Sequence, residues 1–298
     1  MSKKLMLLLL AALLALCLAT AAAESTSVSI TDMYGREITL QEPVTRVVAL
    51  SAADCEILCA LGCEEMLVGR GAYCEYPASI LQVPVVQSGA ETNLEEILAL
   101  APQVVLMSDM AQAKEQVDML ENMGIHVVVS DGNSLEEVYE MIAMIGALVG
   151  REETAQVLVA DMQATFADIA AKAGNTGKTV YFEVSPLQYG LWTAGRNTFM
   201  DELASICGLT NIFSDVDGWG AVSEEQVLAR DPDYIVTITM YFGEGPTPVE
   251  EILERSGWQG VKAVEAGAIL NADSNTLSVP GPRLKDAALC LHDFVNAQ

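Results

Sequence analysis

The sequence predicts an α/β protein made of two lobes that are joined by a single long helix. Three observations support this fold class: short apolar runs alternate with amphipathic segments, one central helical segment is far longer than the others, and one sequence pattern occurs twice. Strands that alternate with helices form parallel sheets covered by helices. The sequence therefore favours two such sheets, although one sheet with a long crossover helix is an alternative.

The chain begins with a segment typical of a secretory signal peptide. Lys3 and Lys4 precede an apolar run over residues 5–18, and three alanines end the segment at Ala23. The run is shorter than the roughly 20 apolar residues of a membrane span. We expect residues 1–23 to be removed and the protein to be exported to the periplasm or the cell surface. A lipid anchor at Cys17 is an alternative, although a large leucine precedes that cysteine.

The first lobe is predicted over residues 24–150. Its apolar strand runs lie at residues 46–50, 83–87, 104–107 and 125–129, and its helices at residues 54–62, 110–123 and from residue 134 onward. Ser134 with Glu137 three residues later forms a capping-box pattern, which marks a helix start.

Residues 151–173 are predicted to form the connecting helix, and residues 174–298 the second lobe. The helix has an apolar stripe made of Val157, Leu158, Met162, Phe166 and Ile169. The alternation then resumes, with strands at residues 179–184, 234–239 and 269–272 and helices at residues 198–207, 249–255 and 283–296.

An internal repeat supports the two-lobe prediction. Residues 93–102 are echoed by residues 223–232, and each copy precedes an apolar strand run. Glu95 and Glu225 occupy the same place, in the predicted first turn of a helix, where the helix dipole favours a carboxylate by about 0.3–1 kcal/mol. The dipole accounts for one acidic residue, but not for its recurrence in both lobes. Such a pair of acidic knobs suits a twofold-symmetric partner with two basic pockets.

The acidic composition of the chain argues against a nucleic-acid partner. The sequence has 41 Asp+Glu against 15 Lys+Arg, and loss of Lys3 and Lys4 with the signal segment takes the net charge from −26 to −28. Nucleic-acid phosphates must be met by Lys and Arg, so a nucleic-acid partner is not expected. We expect a monomer.

The sequence carries no convincing enzyme motif, and we predict no catalytic residues. Its two histidines, His126 and His292, are far apart, and no third group marks either as a base. No intrinsic cofactor or metal site is expected. Six cysteines follow the signal segment: Cys55, Cys59, Cys63, Cys74, Cys207 and Cys290.

The cysteines leave two alternatives open. Cys55, Cys59 and Cys63 are spaced to share one helix face, which suits either buried core thiols or a thiolate cluster for a soft metal. Cys55 and Cys74 each follow a strand run, so they could form a disulfide or contact a ligand. A thiolate metal-cluster protein or an enzyme on the same two-lobe fold is therefore the alternative function.

Several stretches together resemble the class III solute-binding proteins of ABC importers, which take up ferric siderophores, haem and cobalamin. The first lobe contributes LSAADCEILCALG, LVGRGAYCEYP and NLEEILALAPQVVL. The second contributes LWTAGRNTFMDELASICGLTNIF, GWGAVSEEQVLARDPDYIV and PGPRL. The resemblance covers about residues 40 to 295. It implies two Rossmann-like lobes on a rigid helix, with a metal chelate of cobalt or iron bound between them and handed to a permease dimer and its ATPase.

The resemblance also implies site residues. Glu95 and Glu225 would dock on the permease. Tyr73, Trp192 and Trp219 match positions that contact corrin in cobalamin binders, and Arg70, Cys74 and Arg196 are the further candidates for ligand contact.

Departures from the family pattern bear on the ligand. An expected tryptophan is Gly89, and an expected arginine is Val279. Candidate cleft cations are thus few, with Arg283 expected to pair with an acidic neighbour, whereas tri-catecholate siderophores need an arginine cluster. We expect a corrinoid or a weakly charged ferric siderophore; haem held axially by Tyr73 or Tyr76 is the further alternative.

Overall fold

A computed structural model describes residues 27–89, 92–108 and 114–297. The predicted signal segment with Cys17 lies outside these residues, as do the first four residues of the helix predicted at 110–123. Within the described ranges, no helix is long and apolar enough to cross a membrane.

The first lobe contains a five-stranded parallel sheet with the strand order β5-β4-β3-β6-β7. An antiparallel hairpin, β1 (Val28–Thr31) and β2 (Glu37–Leu40), precedes it. The sheet strands are β3 (Val47–Ala49), β4 (Leu67–Gly71), β5 (Val85–Val86), β6 (Val104–Met107) and β7 (His126–Val129). Every residue of β3 and β6 is buried. Such continuous apolar runs are typical of parallel strands with both faces covered.

Three of the four described helices of the first lobe begin directly after a residue whose side chain caps them, Ser51, Asn93 or Ser134. The four helices are α1 (Ala52–Ala60), α2 (Leu94–Leu100), α3 (Lys114–Asn122) and α4 (Leu135–Leu148). The predicted capping box of Ser134 and Glu137 is confirmed at the start of α4. Ser51 caps α1 by accepting a hydrogen bond from the backbone N–H of Asp54.

Helix α1 ends before Cys63, so it is too short to carry Cys55, Cys59 and Cys63 on one face. Gly62 adopts a φ of 71°, and the N–H of Cys63 donates to the Leu58 carbonyl, which closes the helix with a Schellman motif. Cys63 therefore lies beyond the helix, and the predicted helix face with three cysteines is wrong.

The second lobe has its own four-stranded parallel sheet, in which the strand order is β10-β8-β12-β13. Its strands are β8 (Lys178–Glu183), β10 (Leu209–Asn211), β12 (Tyr234–Thr237) and β13 (Ile269–Asn271). A separate antiparallel ribbon pairs β9 (Trp192–Ala194) with β11 (Trp219–Ala221). The presence of two sheets confirms the predicted fold class, and the single-sheet alternative is wrong.

The connecting helix α5 (Glu152–Ala173) lies between the two sheets in sequence. The other helices of the second lobe are α6 (Phe199–Ile206), α7 (Glu224–Arg230), α8 (Pro248–Glu254), α9 (Lys262–Ala266), α10 (Ser274–Leu277) and α11 (Leu284–Ala297). Helix α5 packs against α4 of the first lobe and against α6 and α11 of the second. One apolar core therefore runs through both lobes, and it includes Ile145, Met162 and Leu284.

The buried stripe of α5 differs from the predicted one by one residue. Met162, Phe166 and Ile169 are buried, but the side chain of Val157 is 70% exposed. Val157 is five positions before Met162, which places it about 140° away around the helix axis. Ala155 occupies the buried face in its place.

Candidate functional site

The main cavity of the protein lies between the lobes at the carboxyl ends of the parallel strands. It has a volume of about 910 Å³. Ala52 and Tyr73 line it from the first lobe, and loops that follow β8, β12 and β13 line it from the second. Loops at this edge of parallel sheets form the usual ligand crevice of α/β proteins. We call this cavity the aromatic cleft.

Exposed aromatic side chains from both lobes face the aromatic cleft. Tyr73 is 83% exposed, Tyr189 is 78% exposed and Phe242 is 85% exposed. Tyr241 and Met240 line the same cavity. Large aromatic side chains usually bury most of their surface, so several that stay exposed around one cavity indicate a binding surface.

Trp219 lies in a smaller adjoining cavity of about 240 Å³. Its indole Nε1 donates to Oδ1 of Asn133 at 3.1 Å, across the lobe interface, and its ring meets Phe199 edge-on at 5.5 Å between centroids. The side chain is half-buried. Trp219 therefore lines the inter-lobe space and also ties the lobes together.

Trp192 and Arg196 lie near the cleft but are not among the described residues that line its cavities. Trp192 is 44% exposed on β9, where its backbone bridges to Ser185. The Arg196 guanidinium pairs with the Asp217 carboxylate at 3.3 Å on the surface. The structure thus does not bring these two predicted residues together with Tyr73.

Arg70 and Cys74 are buried beneath the loop that carries Tyr73. Arg70 donates from Nε to the Ile80 carbonyl at 3.1 Å and from Nη1 to the Cys74 carbonyl at 3.0 Å. These bonds satisfy carbonyls of the segment between β4 and β5, which includes a short 3-10 helix at Ala78–Gln82, so Arg70 holds this segment in place from inside. Neither side chain faces the cavity in this structure.

Cys55 and Cys74 are free thiols that share one acceptor, the carbonyl oxygen of Ala49, at 3.7 and 3.9 Å. A hydrogen bond between the thiols and the burial of Cys55 both raise the pKa of Cys55. A neutral buried thiol is a poor nucleophile and a poor metal ligand.

A second adjoining cavity, of about 250 Å³, contains an inter-lobe ion pair. Arg283 donates from Nε to the Glu56 carboxylate at 3.0 Å, and its guanidinium lies 4.0 Å from the ring centroid of Tyr76. The expectation that Arg283 pairs with an acidic neighbour is confirmed.

Sequence reasoning missed a buried charge cluster behind the aromatic cleft. Arg255 is bidentate to Glu183, with nitrogen–oxygen distances of 2.9 and 3.1 Å, and also pairs with Glu251. The Arg255 guanidinium stacks on Trp258, whose Nε1 donates to Glu224 at 2.8 Å. Glu183, at the end of the apolar strand β8, could have indicated this cluster. A buried carboxylate without a partner is costly, so a basic partner elsewhere in the chain was to be expected.

Glu95 and Glu225 are exposed in the first turns of α2 and α7. Asn93 and Ser223 cap these helices through their side chains, and both helices end in a left-handed residue with a φ of 46°. A hydrogen bond from the Ser223 hydroxyl lowers the pKa of Glu225. The two copies of the repeat thus have the same helix conformation, whereas docking stays a prediction.

Comparisons with known proteins agree with this architecture. A periplasmic binding protein family model matches residues 47–276. An ABC transporter substrate-binding lipoprotein of Bacillus subtilis is 32% identical over 264 residues, which cover 86% of this chain and 82% of the relative. A vitamin B12-binding protein of Salmonella typhimurium is 32% identical over 196 residues, or 64% of this chain and 71% of the relative.

A solved structure supports the same assignment. A possible iron-binding, periplasmic solute-binding protein of Staphylococcus epidermidis superposes with a TM-score of 0.73 at 28% identity, covering 85% of this chain and 99% of that one. The resemblance recognised in the sequence is thereby confirmed: this chain belongs to the periplasmic binding protein family.

Proposed function

We propose that the protein captures a metal chelate in the aromatic cleft and delivers it to the permease of an ABC importer. The observation that carries this proposal is the group of exposed aromatic side chains, Tyr73, Tyr189 and Phe242, around one cavity of about 910 Å³. Ligand sites are concave, mostly apolar and roughly 300–1,000 Å³ in volume. Aromatic rings that offer their faces and edges suit a flat or rounded chelate, such as a corrin ring or a hydroxamate complex.

The relatives support this class of ligand. Similar proteins are named for binding vitamin B12, and others for binding iron. We infer that the ligand undergoes no chemistry in this protein. We also infer that the protein is exported, because residues 1–23 are typical of a secretory signal peptide.

The thiolate-cluster alternative receives little physical support. The hydrogen bond with Cys74 and then burial raise the pKa of Cys55, and burial and then Glu64 raise that of Cys59 to about 12. Cys63 lies beyond α1, so it does not extend the helix face of the other two. Thiols that stay protonated bind metals weakly.

Calorimetric titration with cyanocobalamin and with ferrioxamine B tests the ligand class. We expect saturable one-to-one binding of at least one of them, and a loss of affinity of about fivefold or more in Tyr73→Ala and in Phe242→Ala, since an aromatic contact adds about 1 kcal/mol beyond its area. Tyr34→Ala, an exposed tyrosine on the β1–β2 turn, is the matched control. If Tyr73→Ala and Phe242→Ala bound the chelate as tightly as the control Tyr34→Ala, the aromatic cleft would not be the binding site.

The docking part of the proposal rests on the repeat. Glu95→Ala combined with Glu225→Ala is expected to leave chelate affinity unchanged and to abolish permease-dependent uptake, because the two exposed carboxylates lie in equivalent helix turns of the two lobes. Glu153→Ala with Glu254→Ala makes the same change of charge at two other exposed helix positions. Normal uptake by the first double variant, or equal loss in both, would refute the docking assignment.

A further inference from the structure

The arginines at the cleft are already neutralised by carboxylates. Arg255 is buried and meets two of them, Glu183 and Glu251, both of which line the aromatic cleft. A guanidinium that is shared by two carboxylates leaves one net negative charge. Four of its five N–H donors bond to Glu183 and Glu251, so a ligand carboxylate would have to displace one of these two residues to reach it.

Arg283 has the same arrangement on the other side of the cleft. It is bidentate to Glu56 and lies 3.9 Å from the Asp273 carboxylate, while it also donates to the Asn275 carbonyl. Its side chain is 15% exposed and that of Glu56 is 3% exposed. This second group is also net negative, and the cost of leaving Glu56 buried without its partner opposes the recruitment of Arg283 by an anionic ligand.

Two further carboxylates lie beside the exposed aromatic side chains. Glu75 lines the cavity next to Tyr73, and Glu244 lines the aromatic cleft next to Phe242. Both are exposed, and neither has an ion-pair partner among the residues that the structure describes. Arg283 is the one lysine or arginine among the described residues that line the three adjoining cavities. The surface on which a ligand would rest is therefore negative.

We propose that this cleft selects neutral or positively charged chelates and discriminates against anionic ones, with Glu75 and Glu244 as specificity-determining residues. The inference rests on the proposed function, because it concerns the ligand of the same cleft. Aromatic side chains supply most of the contact area, and the carboxylates supply most of the selection by charge. A cationic group near Tyr73 or Phe242 would also gain from the faces of the rings. A ligand that carries carboxylates or ionised catecholates is repelled and finds no free arginine.

Matched chelates that differ in charge test the proposal. Ferrioxamine B has a protonated amine, and its N-succinyl derivative replaces that cation by a carboxylate while the iron-hydroxamate core stays the same. Cyanocobalamin is neutral, and hydrolysis of one peripheral amide gives an anionic monocarboxylate. Calorimetry at low and at moderate salt gives the affinity of each member. We expect the less negative member of each pair to bind more tightly, by about threefold to tenfold per unit of charge at low salt.

The salt dependence and the variants provide independent readouts. Added salt should weaken binding of the cation and strengthen binding of the anion, and Glu75→Gln with Glu244→Gln should reduce the preference within each pair by about twofold to threefold per unit of ligand charge. Glu153→Gln with Glu265→Gln, at exposed positions on helices that line none of the three cavities, should leave the preference unchanged. Equal affinities within a pair, or tighter binding of the anion, would overturn this inference alone. If none of the four chelates bound, the proposed function would fail and this inference with it.

Discussion

Asp54 is a buried carboxyl whose titration should dominate the pH dependence of stability near the lobe interface. It lies in the first turn of α1 and is fully buried. Burial raises its pKa from 3.8 to about 6, although hydrogen bonds from the hydroxyls of Ser130 and Ser51 act in the opposite direction. The charge of Asp131 adds to the increase.

The replacement Asp54→Asn removes this titration with little change of shape. The folded pKa lies above the unfolded value, so folding takes up a proton. The stabilisation is therefore fully present below pH 3.8 and is lost as the pH rises through about 6. A shift of about two units corresponds to about 3 kcal/mol. The unfolding free energy of the native protein, minus that of Asp54→Asn, should fall by about this amount between pH 4 and pH 7.5.

Urea unfolding followed by circular dichroism measures that difference at intervals of half a pH unit. Subtraction of the variant cancels the other titrating groups, provided that both proteins unfold with the same m-value. Gln163→Ala, an exposed change on α5 that removes no titrating group, is the control and should give a difference that does not vary with pH. A flat difference for Asp54→Asn, or one that rises with pH, would refute the assignment of a raised pKa to this carboxyl.

Two further predictions concern buried groups elsewhere. Trp258→Phe should lower the free energy of unfolding by about 2 kcal/mol in urea titrations, because the indole donates to the Glu224 carboxylate and hydrogen bonds to charged groups contribute about 1.5–3 kcal/mol. A loss below 0.5 kcal/mol would contradict that role. In maleimide labelling of the chain from residue 24 onward, which lacks Cys17, one thiol, the exposed Cys290, should react fast in the folded protein and six should react after denaturation, since burial raises the pKa of Cys207 to about 12. A denatured count of four would instead indicate a disulfide.

Much of the fold follows from local sequence patterns. Strand β6 occupies the predicted residues 104–107, because a short apolar run with two covered faces has one obvious assignment. The α4 helix begins where Ser134 and Glu137 can cap it. Hydrophobicity alone does not predict that Val157 is exposed. Its angular position around α5, away from Met162, is what turns it from the core, whereas the smaller Ala155 is buried.

The site was predictable only in part, because its residues are assembled over long distances in sequence. Tyr73 follows a strand and could be identified from its motif. Tyr189 and Phe242 lie in loops with no periodic pattern, and nothing local distinguishes them from surface residues. Whether Arg70 faces a ligand or holds a loop depends on the carbonyls of Ile80 and Cys74, which three-dimensional structure alone places beside it.

The contacts between the two lobes oppose large movement of one lobe relative to the other. The lobes share one apolar core around α5, and contacts cross between them at Trp219 with Asn133, at Glu202 with the Leu135 N–H, and at Arg283 with Glu56. Large closure around a ligand would break these contacts and disturb the shared core, at a substantial cost. The proposed recognition of a chelate would therefore depend on side chains in the loops that follow the strands, and not on closure of the lobes. The same rigidity would hold the helix turns with Glu95 and Glu225 at a constant separation, as docking on a twofold-symmetric permease requires.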